Sequence, residues 1–415
     1  MPDAQLAERN SKLMVLEGTL FWAGLSFLQG DTVITNFIQI TTGSAALAGF
    51  AATLRSLAPL TGQFIMGLII HRIPSQIRRM TALGFLSRPL FLLMALFMLS
   101  GLDGKAAAWV FLALYALFFL ADGMVGLIWA EICTRTLPIQ RRGEVVSMQQ
   151  TFAGLAGLGS GWVLRAVLGS ALPFQVQYAV IFSLASAIFL ISAVALSRFH
   201  DLPHPCAPDE PPAHPVRYIA RILPILKENP SVRVTLIARA LYLMTLIAAP
   251  VNLMFGREAG LSETQLATLV FMPVLGQITA GVLWAQVCRR LSYPVMMRLA
   301  EILGVVCALA NLACFFVWKA GLPVMFPLSL AMALVAVNTP AYTGFYQHMI
   351  TLVTPEKRAD TIVLAAIVMA PLSLGTYLAG ALVERAGYLP VYLIMLACGI
   401  AGWYLVRRLV PVTAK

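Results

Sequence analysis

Pro59-Leu60-Thr61-Gly62-Gln63-Phe64-Ile65-Met66-Gly67-Leu68-Ile69-Ile70-His71-Arg72-Ile73-Pro74-Ser75-Gln76-Ile77-Arg78-Arg79 is the end of a long apolar run that passes straight into a basic loop. A helix needs about 20 mostly apolar residues to cross a hydrocarbon core about 30 Å thick. Unpaired backbone groups find no water there, so a chain of this kind crosses as helices. Working outward, twelve such runs follow one another. The first six are Leu16–Ile38, Leu47–Ile70, Met80–Leu99, Ala106–Cys133, Val145–Leu168 and Val176–Ser197. The second six are Val232–Phe255, Leu266–Cys288, Val295–Trp318, Leu322–Ile350, Ala359–Val383 and Leu389–Val406.

The basic residues fall in every second connection. Of 29 Lys and Arg, 21 lie on the side that holds both termini, 4 on the opposite side and 4 inside runs. The positive-inside rule then makes both termini cytoplasmic and the number of crossings even. Composition agrees, with 60% hydrophobic and 11% charged residues. The net charge of +11 is spread over short loops, which suits anionic headgroups and not nucleic acid. The six cysteines form no CxxC pair, so free thiols are expected, with no disulfide framework. The N-terminus carries Asp3 and Glu8 and no short apolar segment with a cleavage site, so the first run reads as a retained helix.

The opening motif has an echo. Pro59-x-x-Gly62-Gln63-x-x-x-Gly67 in the second run returns as Pro273-x-x-Gly276-Gln277-x-x-x-Gly281 in the eighth. Pro138-Ile139-Gln140-Arg141 after the fourth run returns, at nearly the same offset, as Pro355-Glu356-Lys357-Arg358 after the tenth. Two echoes in matching helices predict a duplicated six-helix unit. The expected fold is an all-α membrane protein of twelve transmembrane helices in two pseudo-symmetric six-helix bundles, at 1–198 and 232–415. The linker at 199–231 begins proline-rich. It ends in a short helix with Val216, Ile219, Ile222, Leu223 and Leu226 on one side. That helix lies either on the leaflet or against the bundle.

These features resemble the major facilitator superfamily. The likeness covers roughly the whole chain: twelve helices, a 6+6 repeat, cytoplasmic termini and a long central loop. Gly67 followed by Arg72, Arg78 and Arg79 is similar to the family's loop between helices 2 and 3. The family's aspartate is His71 here, and Pro74 stands where a glycine is usual. The matching loop has Arg289-Arg290, and Pro138-x-x-Arg141-Arg142-Gly143 follows the fourth run. Proton-driven drug antiporters carry Arg-x-x-x-Gly in helix 4; this chain has Asp122-x-x-x-Gly126. Its fifth run has Gly154, Gly157, Gly159 and Gly161 but no Gly-Pro.

The resemblance implies a secondary transporter working by alternating access, with helices 1, 4, 7 and 10 lining a central cavity. An ionisable side chain at bilayer depth costs about 2.5–3.5 kcal/mol on insertion scales, so each needs a partner or a cavity. Asp31 and Arg55 both lie about 11 Å from the outer ends of adjacent runs and form an expected pair. Asp31 and Asp122 are the proton-coupling candidates, Asp122 having no neighbour of opposite charge on its own helix. Glu131, Arg239 and His348 join Arg55 as ion-pair or gate candidates. Trp22, Gln29, Trp129, Tyr242, Asn338, Tyr342, Tyr346 and Gln347 are the substrate-cavity candidates. Arg88 and Glu301 read as structural.

His200, His204, Cys206 and His214 in the central loop offer zinc-type ligands, but their spacing fits no defined site. No cofactor is expected. HExxH and GxSxG are absent, so an enzyme is not expected. The expected partners are a small organic molecule, protons and membrane lipids. The acids on the cavity helices allow a cationic substrate. An exporter of drugs or lipid-like amphipaths and a non-transporting receptor remain open alternatives. A monomer in the bacterial inner or plasma membrane is expected.

Overall fold

The computed structural model describes residues 4–29, 33–204, 206–207, 214–269 and 271–409. Among them there are helices and no strand. The helices in chain order are α1 (Ala4–Ser26, resuming as Thr35–Thr42), α2 (Ala45–Gly67), α3 (Gln76–Ser87 and Leu90–Leu99), α4 (Gly104–Thr136), α5 (Ile139–Leu168) and α6 (Phe174–Leu196). Then come α7 (Pro230–Met244 and Ala248–Glu258), α8 (Glu263–Leu269 and Phe271–Arg290), α9 (Tyr293–Lys319), α10 (Met325–Asn338 and Tyr342–Thr351), α11 (Arg358–Met369 and Gly375–Ala386) and α12 (Tyr388–Val406). Each of the twelve apolar runs is matched by one of these. Eight segments among the described residues meet the length and hydropathy of a membrane span outright. Large apolar side chains face outward in number, Trp162 at 74% and Phe326 at 79% exposed among them, as a lipid-facing surface requires.

The apolar runs understate the helices. The first run starts at Leu16 but its helix begins at Ala4, and the fifth starts at Val145 but α5 begins at Ile139. Hydropathy finds the part in lipid, while the helix continues into water on residues such as Glu8 and Lys12, which pair one turn apart at 2.8 Å.

The chain forms two compact units. The first holds residues 1–138, 155–222 and 356–370; the second holds 139–154, 223–355 and 371–415. The first half of α5 therefore belongs to the second unit, where it meets α8, and the first half of α11 to the first unit, where it meets α2 and α4.

In the first unit α2 and α4 meet backbone to backbone. A Cβ on Gly62 would fall on the Leu120 carbonyl oxygen, and one on Gly123 on the Pro59 carbonyl oxygen. Only glycine permits that approach. In the second unit α8 meets α10 in the same way, where a Cβ on Gly276 would lie 2.6 Å from the Ala333 carbonyl oxygen. The repeated Pro-x-x-Gly thus marks one helix crossing made twice. The first unit's core is aromatic: Phe37, Phe91, Phe111, Phe118, Phe182 and Phe189 interlock with Tyr115 and Tyr178.

Two breaks have visible chemistry. Pro89 interrupts α3, since it has no N–H to give, and Ser186 Oγ donates to the neighbouring Arg88 carbonyl at 2.8 Å. Thr339-Pro340 interrupts α10. Three carbonyls at that break are taken by side chains: Trp284 Nε1 donates to Val337 at 2.7 Å, and the Tyr242 hydroxyl lies 2.5 Å from Asn338 O and 3.0 Å from Thr339 O. A broken helix at membrane depth survives only when its polar groups find such partners. Tyr242→Phe is therefore expected to cost about 1–3 kcal/mol, read as an earlier thermal unfolding of the purified protein. An unchanged melting temperature would show that the break holds without this bond.

The linker helix, Pro215–Ile222, packs against the first unit. Tyr218 and Ile222 are buried, Tyr218 lies against Phe64 of α2, and its hydroxyl donates to Asp360 Oδ1 at 2.9 Å. Burial and the Asp360 carboxylate push the Tyr218 hydroxyl well above its ordinary pKa. Val216 and Leu223 point outward. The apolar series counted through Leu226 does not form one face, because the helix ends before Pro224 and a second short piece, Ile225–Glu228, starts a new phase.

Candidate functional site

A buried charge cluster in the first unit joins three helices. Arg88, on α3 and 1% exposed, has Nη2 3.8 Å from Glu17 Oε1 on α1 and Nη1 3.9 Å from Asp122 Oδ1 on α4. The guanidinium lies over the rings of Phe21 (4.5 Å), Phe118 (5.6 Å) and Phe189 (5.6 Å), which stabilises a cation in a dry setting. Ser192 Oγ on α6 donates to Glu17 Oε1 at 3.1 Å. The Asp122 side chain is the accessible member, 24% exposed against 8% for Glu17.

Asp122 is thus not alone, as its own helix suggested; its partner sits on α3. Arg88, which reads from sequence as structural, is the centre of the cluster. Glu17 was missed because it falls beside the start of the first apolar run. With the helix ends in place, all three fall at one depth. Arg88 is measured from the start of α3 at Gln76, Glu17 from the start of α1 at Ala4 and Asp122 from the end of α4 at Thr136. At the helical rise each lies about 18–21 Å along its helix from the same side. Two carboxylates on one guanidinium leave one negative charge over, which a proton can neutralise.

The other expected residues divide between the units. Asp31 lies outside the described residues, and so does its expected pairing with Arg55, which is half-buried. Glu131 is buried in the first unit and pairs with Arg135 one turn on at 3.2 Å. Arg135 also grips Asp201 at 3.0 and 2.9 Å and Gln76 at 2.7 Å, tying the linker's start to the bundle. Trp22, Gln29 and Trp129 belong to the same unit; Trp22 and Gln29 are half-buried.

Arg239, Tyr242, Asn338, Tyr342, Tyr346, Gln347 and His348 belong to the second unit. Arg239 on α7 lies over the Tyr346 ring of α10 at 5.7 Å. Asn338, Gln347 and His348 are buried. Asn338 Nδ2 and Oδ1, Gln347 Oε1 and His348 Nε2 have no hydrogen-bond partner among the described residues. Buried polar atoms of this kind call for an explanation, of which a ligand is one. Tyr242 is fully buried with its hydroxyl spent on the α10 break, which gives it a structural task. Glu301 on α9 is fully buried beside Gly402 of α12, and neither of its oxygens has a partner among the described residues.

The central-loop ligand types are not gathered. No group of three His, Cys, Asp or Glu among the described residues is placed to hold a metal. His204 Nε2 sits 3.1 Å from Ile73 O and His200 Nδ1 3.2 Å from Arg198 O. Cys206 and His214 are exposed.

The sequence profile of the Major Facilitator Superfamily matches residues 19–370. The chain belongs to the Major Facilitator Superfamily. It is a multi-pass membrane protein and a secondary transporter, not an enzyme. Solved structures of this superfamily share its fold of two six-helix bundles. The proton:xylose symporter XylE, bound to 6-bromo-6-deoxy-D-glucose, is 14% identical with a TM-score of 0.71, covering 98% of this chain and 96% of that one. The human organic anion transporter TETRAN is 14% identical, with a TM-score of 0.72 and coverage of 96% and 99%. A bacterial homologue of the iron transporter ferroportin, in the outward-facing state, is 13% identical, with a TM-score of 0.70 and coverage of 96% and 98%. No curated protein matches the chain by sequence.

The superfamily's basic loop is answered here by acids on other helices. In the first unit His71 Nε2 lies 3.5 Å from Asp360 Oδ1 at the start of α11, with Arg221 Nη2 at 3.3 Å from the same oxygen. In the second unit Arg289 pairs with Glu144 at the start of α5. Glu144 and Asp360 lie six and five residues after Pro138 and Pro355, one residue out of register in the repeat. Each half thus sets an acid early in its fifth helix against a basic loop, without residue-for-residue correspondence.

Proposed function

We propose that this transporter moves a small organic solute by alternating access, coupled to protons through the Glu17–Arg88–Asp122 cluster. The observation that carries the reading is one buried guanidinium facing two carboxylates, one of them partly open. When Asp122 takes a proton, Arg88 is balanced by Glu17 alone and the cluster is neutral. When Asp122 gives the proton up, Arg88 must hold two anions. The two forms differ in charge at fixed depth, which is what a proton gradient needs in order to favour one conformation over another.

Arg239 with Asn338, Tyr342, Tyr346 and Gln347 is the proposed substrate face. Of the acids that allowed a cationic substrate, Asp122 is engaged by Arg88 and Glu131 by Arg135, while Asp31 lies outside the described residues. The charge in this face is then Arg239, and the substrate it suits carries hydroxyl or anionic groups. Asp31, Arg55, Glu131, Arg239 and His348 remain proposed ion-pair and gating groups. The charge pattern supports cytoplasmic termini, in a cell membrane.

A thermal-shift screen of the purified protein against metabolites and drugs identifies the substrate. Its flux into proteoliposomes is then expected to rise with an imposed pH gradient and to fall when a protonophore dissipates it. Flux indifferent to the protonophore would reject proton coupling. Selective stabilisation by cationic amphipaths would favour the exporter reading.

A further inference from the structure

We propose that the groove between α1 and α6 binds the headgroup of an anionic phospholipid, with Arg9 and Arg198 on its phosphate. A cavity of about 540 Å³ opens here, lined by Gln5, Glu8, Arg9, Lys12, Leu13 and Arg198. Its three cations outnumber its one acid. Lys12 is paired with Glu8 at 2.8 Å, whereas neither arginine has an ion pair among the described residues. Both arginines are exposed. A guanidinium fork matches phosphate oxygens in pairs, so two of them at one mouth suit a phosphodiester.

The site is built and not a chance meeting of loose side chains. Asn10, fully buried, donates through Nδ2 to His200 O at 2.6 Å and accepts from the His200 N–H at 3.1 Å. That two-way bond fixes α1 beside the exit of α6, and with it the spacing of Arg9 and Arg198.

The continuation of each helix selects a lipid over a free anion. On α1, Arg9 and Leu16 are two turns apart and share a stripe. Arg198 stands just past the end of α6, and on the helix Val194 and Ile191 lie four and seven residues before it. Leu16, Val194 and Ile191 are all exposed. From Arg9 to Leu16 is about 10 Å along the axis, the step from headgroup to acyl chain. Charge at the mouth and exposed apolar surface below it match one molecule with both parts.

The test compares lipid binding by the purified full-length protein, read by native mass spectrometry and by thermal shift. The probes are phosphatidylglycerol, phosphatidylcholine and inorganic phosphate. The wild type is expected to retain phosphatidylglycerol over phosphatidylcholine and to be stabilised by it, with no response to phosphate. Arg9→Ala with Arg198→Ala is expected to weaken phosphatidylglycerol binding about thirtyfold, the loss of two basic residues at a lipid surface. Arg9→Lys with Arg198→Lys keeps the charge and is expected to lose only part of the affinity. The exposed pair Arg78→Ala with Arg79→Ala is expected to leave binding unchanged. Equal losses from the two alanine pairs would mean diffuse surface attraction and overturn the site. Stabilisation by inorganic phosphate alone would make it a free-anion pocket and overturn the lipid assignment.

Discussion

Arg88→Met unfolds the first unit readily: the expected loss is about 3–5 kcal/mol, the cost of removing one partner from a buried charge group. Methionine fills much of the space beside Phe21, Phe118 and Phe189, so the loss is electrostatic and not a cavity. Glu17 and Asp122 are left facing each other's charge with no cation between α1, α3 and α4. The check is the unfolding temperature in detergent together with the yield of monodisperse protein. Adding Glu17→Gln and Asp122→Asn to Arg88→Met removes the stranded charges and is expected to restore most of the stability. A single variant as stable as wild type would show that the cluster does not hold these helices. A triple variant no better than the single would show that the loss is steric.

Gly123→Val is the second large effect. Its side chain enters the space occupied by the Pro59 carbonyl, and backbone cannot step aside as a flexible side chain can. Overpacking a close contact costs about 1–3 kcal/mol and more where the atoms cannot yield. The expected loss lies at or above the upper end of that range. Gly62→Val meets the Leu120 carbonyl from the other side and is expected to behave alike. Gly126→Ala is the control on the same helix one turn away, since a Cβ there meets nothing within 4 Å. It is expected to be neutral or slightly stabilising, because alanine is the better helix former. If Gly123→Val melts with Gly126→Ala, α2 and α4 are not in backbone contact.

The twelve crossings and the duplication are legible in the sequence because lipid imposes them on every residue in turn. Apolar runs have a minimum length, basic loops alternate, and the Pro-x-x-Gly echo reports a crossing that glycine alone allows. Charges in the membrane are equally legible one at a time, which is why Asp122 stands out. Their partners are not. Glu17, Arg88 and Asp122 sit on three different helices, far apart along the chain; only helix packing brings them together. Glu17 was hidden by a boundary, since hydropathy places the first run's start at Leu16 although α1 begins at Ala4. Tyr242 shows the reverse difficulty. A tyrosine on a cavity helix reads as lining until the α10 break at Pro340 claims its hydroxyl. The linker helix depended on a phase that Pro224 resets.

The proposed coupling moves a proton on Asp122, balanced by Arg88 and Glu17, together with the solute. Proteoliposomes containing a pH-sensitive dye measure it directly when the screened substrate is added. Wild-type protein is expected to change the internal pH as substrate crosses, and Asp122→Asn to exchange substrate with no proton movement. Proton movement by Asp122→Asn at the wild-type rate would exclude Asp122 as the proton carrier.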